Sequence, residues 1–279
     1  MIGSTLRSLL SAIGKLAGGS GDEWLVNLET ASYDTVSRDI SPQVFSALSL
    51  AFSADGQKLY ASDNGNDNIE QFSLSDAWDL STASYDSVTL DVTDGTPRQM
   101  AFSPEGLKMV YIGGSDDRVY QYNLSTPWDL SSATSGGFLA VSAQDSSPTG
   151  VAFNADGSKM FVCGGSNSRI YQYNLPTPYS LSSASYDSIS FSVNSQDTFP
   201  VAIAFSPDGT KLYVLGNTSD RIHQYTLSTA WDLTTAGYDS LSFLLSSQDS
   251  SPLGFAFSSN GSKFFMLGIN EVVYQYSGF

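Results

Sequence analysis

Ala204-Phe205-Ser206-Pro207-Asp208-Gly209-Thr210-Lys211-Leu212-Tyr213 decides how this chain of 279 residues is read, because altered copies of it recur at four other places. Phe52, Phe102, Phe153, Phe205 and Phe257 mark the five copies, at spacings of 50, 51, 52 and 52 residues. A near-constant period of this size signals a repeat architecture, in which one supersecondary unit is copied because it cannot bury its own faces alone.

Working outward from that stretch, each copy holds four strand-like runs, a to d. In the third they span 149–153, 159–163, 169–175 and 185–193. Asn154-Ala155-Asp156-Gly157 between a and b has tight-turn composition, with glycine available for positive φ. A longer loop of the kind holding Trp231-Asp232-Leu233 joins c to d. Short antiparallel strands repeating in fours at this period predict an all-β fold, a five-bladed β-propeller of four-stranded blades. Burial of both blade faces accounts for continuously apolar runs such as Met160-Phe161-Val162-Cys163. Asn27 to Asp34 matches Asp79 to Asp86, the lead-in to a d strand, with no a, b or c strand before it; Val273-Tyr274-Gln275-Tyr276 is a c strand with no d strand after it. The phase therefore predicts one blade shared between the two ends, closing the ring and removing both sheet edges.

Residues 1–21 stand apart from the propeller at 22–279. Ile2, Leu6, Leu9, Leu10, Ile13 and Leu16 fall on one side of a helical wheel, and Gly18-Gly19-Ser20-Gly21 reads as a tether. A helix this short needs a surface to lie on. The expected surface is another subunit or assembly, with packing against its own domain as the alternative.

Composition narrows the function. Only 14% of residues are charged, yet the net charge is −16, which repels phosphate backbones and argues against nucleic acid. One cysteine, Cys163, and one histidine, His223, exclude a disulfide framework and a zinc site. No apolar run reaches 18 residues, and Lys15 interrupts the short apolar stretch near the start, so neither a membrane span nor a secretory signal is expected.

Phe205-Ser206-Pro207-Asp208-Gly209-Thr210-Lys211-Leu212-Tyr213, with Tyr225, resembles the Tyr-Val-Thr-Asn and WD40-like propeller repeats of bacteria and viruses. Tyr171-Gln172-Tyr173, Leu227 to Leu233 and Gln248-Asp249-Ser250-Ser251-Pro252 are similar to repeat proteins of tailed phages, particularly marine ones. The resemblance covers residues 27–279. It implies a non-enzymatic virion component, such as a tail fibre or surface appendage, that presents a face to a receptor or glycan. A free carbohydrate-binding lectin is the alternative and a hydrolase a weaker one, because propellers host many functions.

Comparing the copies sorts the residues. Side chains present in every copy serve the blade, whereas those private to one copy are candidates for a single site. Gln71, Gln121, Gln172, Gln224 and Gln275 share one c-strand slot and predict a repeated hydrogen bond. Trp78, Trp128, Tyr179 and Trp231 share one loop position, as loop anchors or as platforms for sugars. His223 replaces a tyrosine of sister copies, and Cys163 reads as a buried thiol.

Asp39, Asp94, Asp145, Asp197 and Asp249 each stand three residues before a proline in the d/a loops, beside b/c loops holding Asp116 and Asp117. Such oxygens suit calcium or sugar hydroxyls; alternatively each Asp caps its own turn. Arg98 and Gln99 are private to the second copy. They complete a candidate ligand-binding face with Asp94, Asp116, Asp117, Asp145, Asp197 and Asp249. A five-residue insertion between Pro42 and Phe52 reads as a further private feature. The a strands lack carboxylates, so the acid–base pair of a glycosidase is missing from the axis.

Overall fold

The computed structural model describes residues 24, 26–92 and 95–278. The amphipathic stretch at 2–16, its tether and Asp94 lie outside them. The described chain forms five four-stranded antiparallel sheets, as the period predicts. The five a strands, Ala47–Phe52, Pro97–Phe102, Pro148–Phe153, Pro200–Phe205 and Pro252–Phe257, pack side by side around an axis, the last against the first. Ser32–Asp39 pairs with Val272–Ser277 and completes the fifth blade, so the two ends of the propeller are hydrogen-bonded together.

The core lies between blades. Tyr213, Phe255, Phe264 and Tyr276, all buried, pack across the seam of the fourth and fifth blades, and comparable clusters fill other seams. Every b strand is buried on both faces, which accounts for the unbroken apolar runs. The glutamines of the shared c-strand slot link neighbours. Gln71 Oε1 accepts from Leu130 N (3.0 Å), Gln121 Oε1 from Leu181 N (2.9 Å) and Gln275 Oε1 from Leu80 N (3.3 Å), each in the next blade round the ring.

The loop aromatics anchor their own blades. Gly56 has a φ of +73°, and a methyl group there would lie 2.2 Å from the Trp78 ring; Gly106 under Trp128, Gly157 under Tyr179 and Gly209 under Trp231 repeat the arrangement. Positive φ and the overlying ring both require glycine in this turn. In the fifth blade Trp24 and Val26 cover Gly261, at 3.0 and 2.9 Å from such a methyl. Trp24 also donates to the Tyr213 hydroxyl at 3.1 Å. Its role was not apparent in the sequence because it stands two residues before the position that aligns with Trp78.

The insertion expected after Pro42 does not exist. Ala47 pairs with Asp63 as Pro148 pairs with Gly164, and Gln43 and Val44 donate to Ile40 O as Gln144 and Asp145 donate to Val141 O. The loop from Ile40 to Ala47 is thus the same length as that from Val141 to Pro148. Pro42 sits inside the turn, so Val44, not Asp39, occupies the place of Asp145. The odd loop is that of the second blade, from Val92 to Pro97, which is two residues shorter.

Candidate ligand-binding face

The d/a and b/c loops share one end of the ring. In the b/c turns Asp67, Asp117, Ser168, Asp220 and Glu271 take left-handed φ values of 50° to 57°. Their carbonyls accept from Val92, Val141, Val193, Leu245 and Ile40, which ties each turn to the end of its d strand. Asp is among the residues that tolerate this conformation, whereas Glu271 holds it only because the turn over-determines it.

The repeated carboxylates are consumed by the backbone. Asp145, buried at 2% exposure, accepts from the N–H groups of Ser147 (2.9 Å), Ser166 (3.1 Å) and Asn167 (3.0 Å). Asp197 does the same for Phe199 and Ser219, both at 2.7 Å, and Asp249 for Ser251 (2.8 Å) and the Asn270 side chain (3.1 Å). Each stands against a glycine: a methyl on Gly164, Gly216 or Gly268 would lie 2.1–2.2 Å from the carboxylate. The first blade inverts the device. Asp63, fully buried, occupies the glycine position and reaches across to Phe45 N (3.0 Å), Ser46 N (3.1 Å), Gly65 N (2.8 Å) and Asn66 Nδ2 (2.7 Å). Three of the expected ligand-binding carboxylates, Asp145, Asp197 and Asp249, are therefore turn clamps, because their oxygens are engaged by N–H groups of the two loops they join.

Asp116 and Asp117 are more open. Asp116 accepts from Tyr120 Oη at 2.5 Å and pairs with Arg118 at 2.9 Å. Burial, with Asp116 and Asp145 nearby, raises the pKa of Asp117 against the opposing pull of Arg98. Burial and the charges of Asp39, Asp63 and Asp249 raise Glu271 likewise. This end of the ring thus carries a negative potential. Among the described residues no three His, Cys, Asp or Glu side chains form a group that could hold a metal ion.

Gln99 lies across the axis. Its Nε2 donates to Ile203 O at 2.8 Å, while Oε1 accepts from Ile203 N and Val151 N, both at 3.0 Å. One side chain of the second blade therefore cross-links the third and fourth and divides the channel. Gln99 is a buried structural plug rather than part of the open face. Beneath it a 420 Å³ cavity is walled by Phe52, Phe102, Phe153, Phe205 and Phe257.

Above Gln99, on the loop end, lies a cup of 240 Å³ lined by Leu48, Arg98, Thr149, Val201 and Leu253, with Asn64, Thr96 and Phe199 around it. The first five occupy the second position of the five a strands. Arg98 Nη1 donates to Pro148 O at 3.2 Å and Ser147 Oγ at 3.4 Å, which fixes the guanidinium at the cup. Three large apolar residues are exposed in the surrounding loops: Phe45 at 80%, Ile269 at 53% and Phe199 at 38%. Sequence reasoning missed them, although the comparison of copies held the signal. Sister loops carry Ser146 opposite Phe45, Ser147 and Ser251 opposite Phe199, and Gly165 and Asn217 opposite Ile269.

His223 is buried and its Nε2 lies 2.9 Å from Ser219 Oγ, but Nδ1 has no partner among the described residues, so no carboxylate orients the ring as a triad requires. Burial lowers its pKa, against the pull of Asp197. The Cys163 thiol is pushed up to about 12, chiefly by burial.

No protein-family model and no curated protein matches the sequence. Solved structures share the fold. A functionally unknown protein of Desulfotomaculum acetoxidans aligns at a TM-score of 0.50 and 12% identity, over 80% of this chain and 62% of that one. Proteins provisionally named 6-phosphogluconolactonase align from Bacteroides uniformis (TM-score 0.51, 15% identity, 79% and 63% covered) and Bacteroides fragilis (0.51, 11%, 83% and 71%). The chain thus spans about three fifths of the length of the first two.

Proposed function

We propose that this propeller is a non-enzymatic binding module, a phage tail fibre or surface appendage component that docks through the apolar stripe at residues 2–16 and presents its d/a and b/c loop end to a receptor or glycan. One observation carries the binding reading: the exposed side chains private to single blades, Phe45, Phe199 and Ile269, all stand in loops at this end of the ring, Phe199 on the cup that holds Arg98, while the carboxylates repeated there are spent on loop N–H groups. Exposed apolar groups rimmed by polar ones are typical of recognition surfaces. The virion assignment rests on the repeat resemblance and on the stripe.

The neighbours named as lactonases favour a hydrolase only by fold, and an acidic face repels an anionic phosphosugar. Binding of labelled protein to host cells tests the face: the triple variant Phe45→Ser, Phe199→Ser, Ile269→Asn is expected to lose binding while melting normally. Unchanged binding by that variant would refute the reading. Mass photometry with purified virions tests the stripe, and equal capture of full-length protein and a copy lacking residues 1–21 would count against docking.

A further inference from the structure

The cup departs from five-fold symmetry in an ordered way. Going round the ring, the second residues of the a strands are Arg98 and Thr149 in neighbouring blades two and three, then Val201, Leu253 and Leu48 in neighbouring blades four, five and one. Asn64 and Thr96 extend the polar arc, and Phe199 stands beside the apolar one. Ile269 and Phe45, exposed in the loops of the fifth and first blades, continue the apolar sector outward. A ligand suited to this cup has an apolar group on one side and hydrogen-bonding groups on the other, within a volume of 240 Å³, below the roughly 300–1,000 Å³ of drug-sized pockets.

Charge decides between kinds of ligand. A guanidinium alone would favour a carboxylate, held bidentately. Here it faces Asp117, beside which Asp116 and Asp145 stand, and the net chain charge is −16, so an anion meets repulsion on approach. A neutral acceptor keeps the hydrogen bond and avoids that cost. The Asn64 amide and the Thr96 hydroxyl both donate and accept, which matches sugar hydroxyls, whereas the buried Thr149 hydroxyl donates to Pro200 O at 2.8 Å and contributes a polar wall; Phe199 offers a ring for the C–H face of a pyranose.

We propose that the cup binds one neutral N-acylated sugar residue, its acyl methyl against Val201, Leu253 and Leu48 and its acyl carbonyl accepting from Arg98. This deepens the binding-face reading and rests on it. The full chain is titrated by NMR with the methyl glycosides of N-acetylglucosamine, N-acetylgalactosamine, glucose and glucuronic acid. At least one N-acetylated glycoside is expected to bind about tenfold more tightly than glucose, a difference of one hydrogen bond and one buried methyl. Saturation transfer is expected to be strongest at the acetyl methyl. Phe199→Ser, which installs the residue of two sister loops, is expected to weaken binding about tenfold without lowering the melting temperature.

Glucuronate binding as tightly as either N-acetylated glycoside, no preference over glucose, absence of binding by all four, or an unchanged affinity in Phe199→Ser would overturn the proposal. The host-cell assay separates the two failures. If cell binding still depends on Phe45, Phe199 and Ile269, only the ligand class falls; if it does not, the binding face falls with it.

Discussion

The two forms of the loop clamp predict a compensating swap. In the third blade the carboxylate comes from the loop, Asp145, over a bare Gly164; in the first it comes from the strand end, Asp63, under an apolar Val44. Asp145→Val removes an acceptor from three backbone N–H groups and leaves those of Ser166 and Asn167 without it, at a cost of about 3 kcal/mol or more. Gly164→Asp places a side chain where Asp145 Oδ2 would lie 2.2 Å from its Cβ and sets two carboxylates together, at a cost of similar order, about 3 kcal/mol. The double variant recreates the first blade, and Asn167 already stands where Asn66 donates to Asp63. Its expected cost is about 1 kcal/mol, so the coupling between the two sites is about 5 kcal/mol. By differential scanning calorimetry each single variant should melt about 6–12 °C below wild type and the double variant within about 4 °C of it. A double variant that melts as low as the singles combined would show that the clamp is not a transferable local device.

Further expectations follow from other contacts. Gln99→Leu strands the N–H groups of Val151 and Ile203 and should lower the melting temperature by several degrees, at about 1–3 kcal/mol per group, whereas an unchanged melt would deny Gln99 its cross-linking role. Deleting residues 27–41 removes Ser32–Asp39 and bares the edge of Val272–Ser277, so the product should aggregate or fail to fold; cooperative melting at the wild-type temperature would contradict closure by that strand. Burial holds His223 neutral and lowers its pKa, so below the ordinary value of 6.5 the unfolded chain takes up a proton that the folded chain resists. Stability contributed by His223 is therefore present above that value and lost as pH falls toward the lowered one. His223→Tyr, the residue of sister strands, should remove this increment when denaturant unfolding of the two proteins is compared from pH 7.5 down, and parallel curves would argue against a buried neutral histidine. Trp24→Ala should destabilise the closing blade through loss of its packing on Phe257 and its bond to Tyr213, read as a lower melting temperature without loss of sugar binding.

A period of about 50 residues, four strands to a period and a phase that splits one unit between the ends were enough to determine a closed five-bladed ring, because β periodicity and turn glycines are local properties of the chain. The anchoring of Trp78, Trp128, Tyr179 and Trp231 and the inter-blade bonds of the shared glutamines followed from the same repetition. Alignment by prolines failed where the sequence offered the wrong landmark: Pro42 suggested an insertion, whereas strand register places Ala47 opposite Asp63 and makes Val44 the partner of Asp145. Register depends on hydrogen bonds to a distant strand, which no local pattern records. The face was likewise decided in three dimensions. Whether an aspartate is open to a ligand depends on which N–H groups surround it, and whether Gln99 lines a channel or blocks it depends on the distance across the axis to Ile203. The sequence by itself determined the blades and their number; only the folded ring decided which private residues meet at its centre, because residues from five blades become neighbours only when the circle closes.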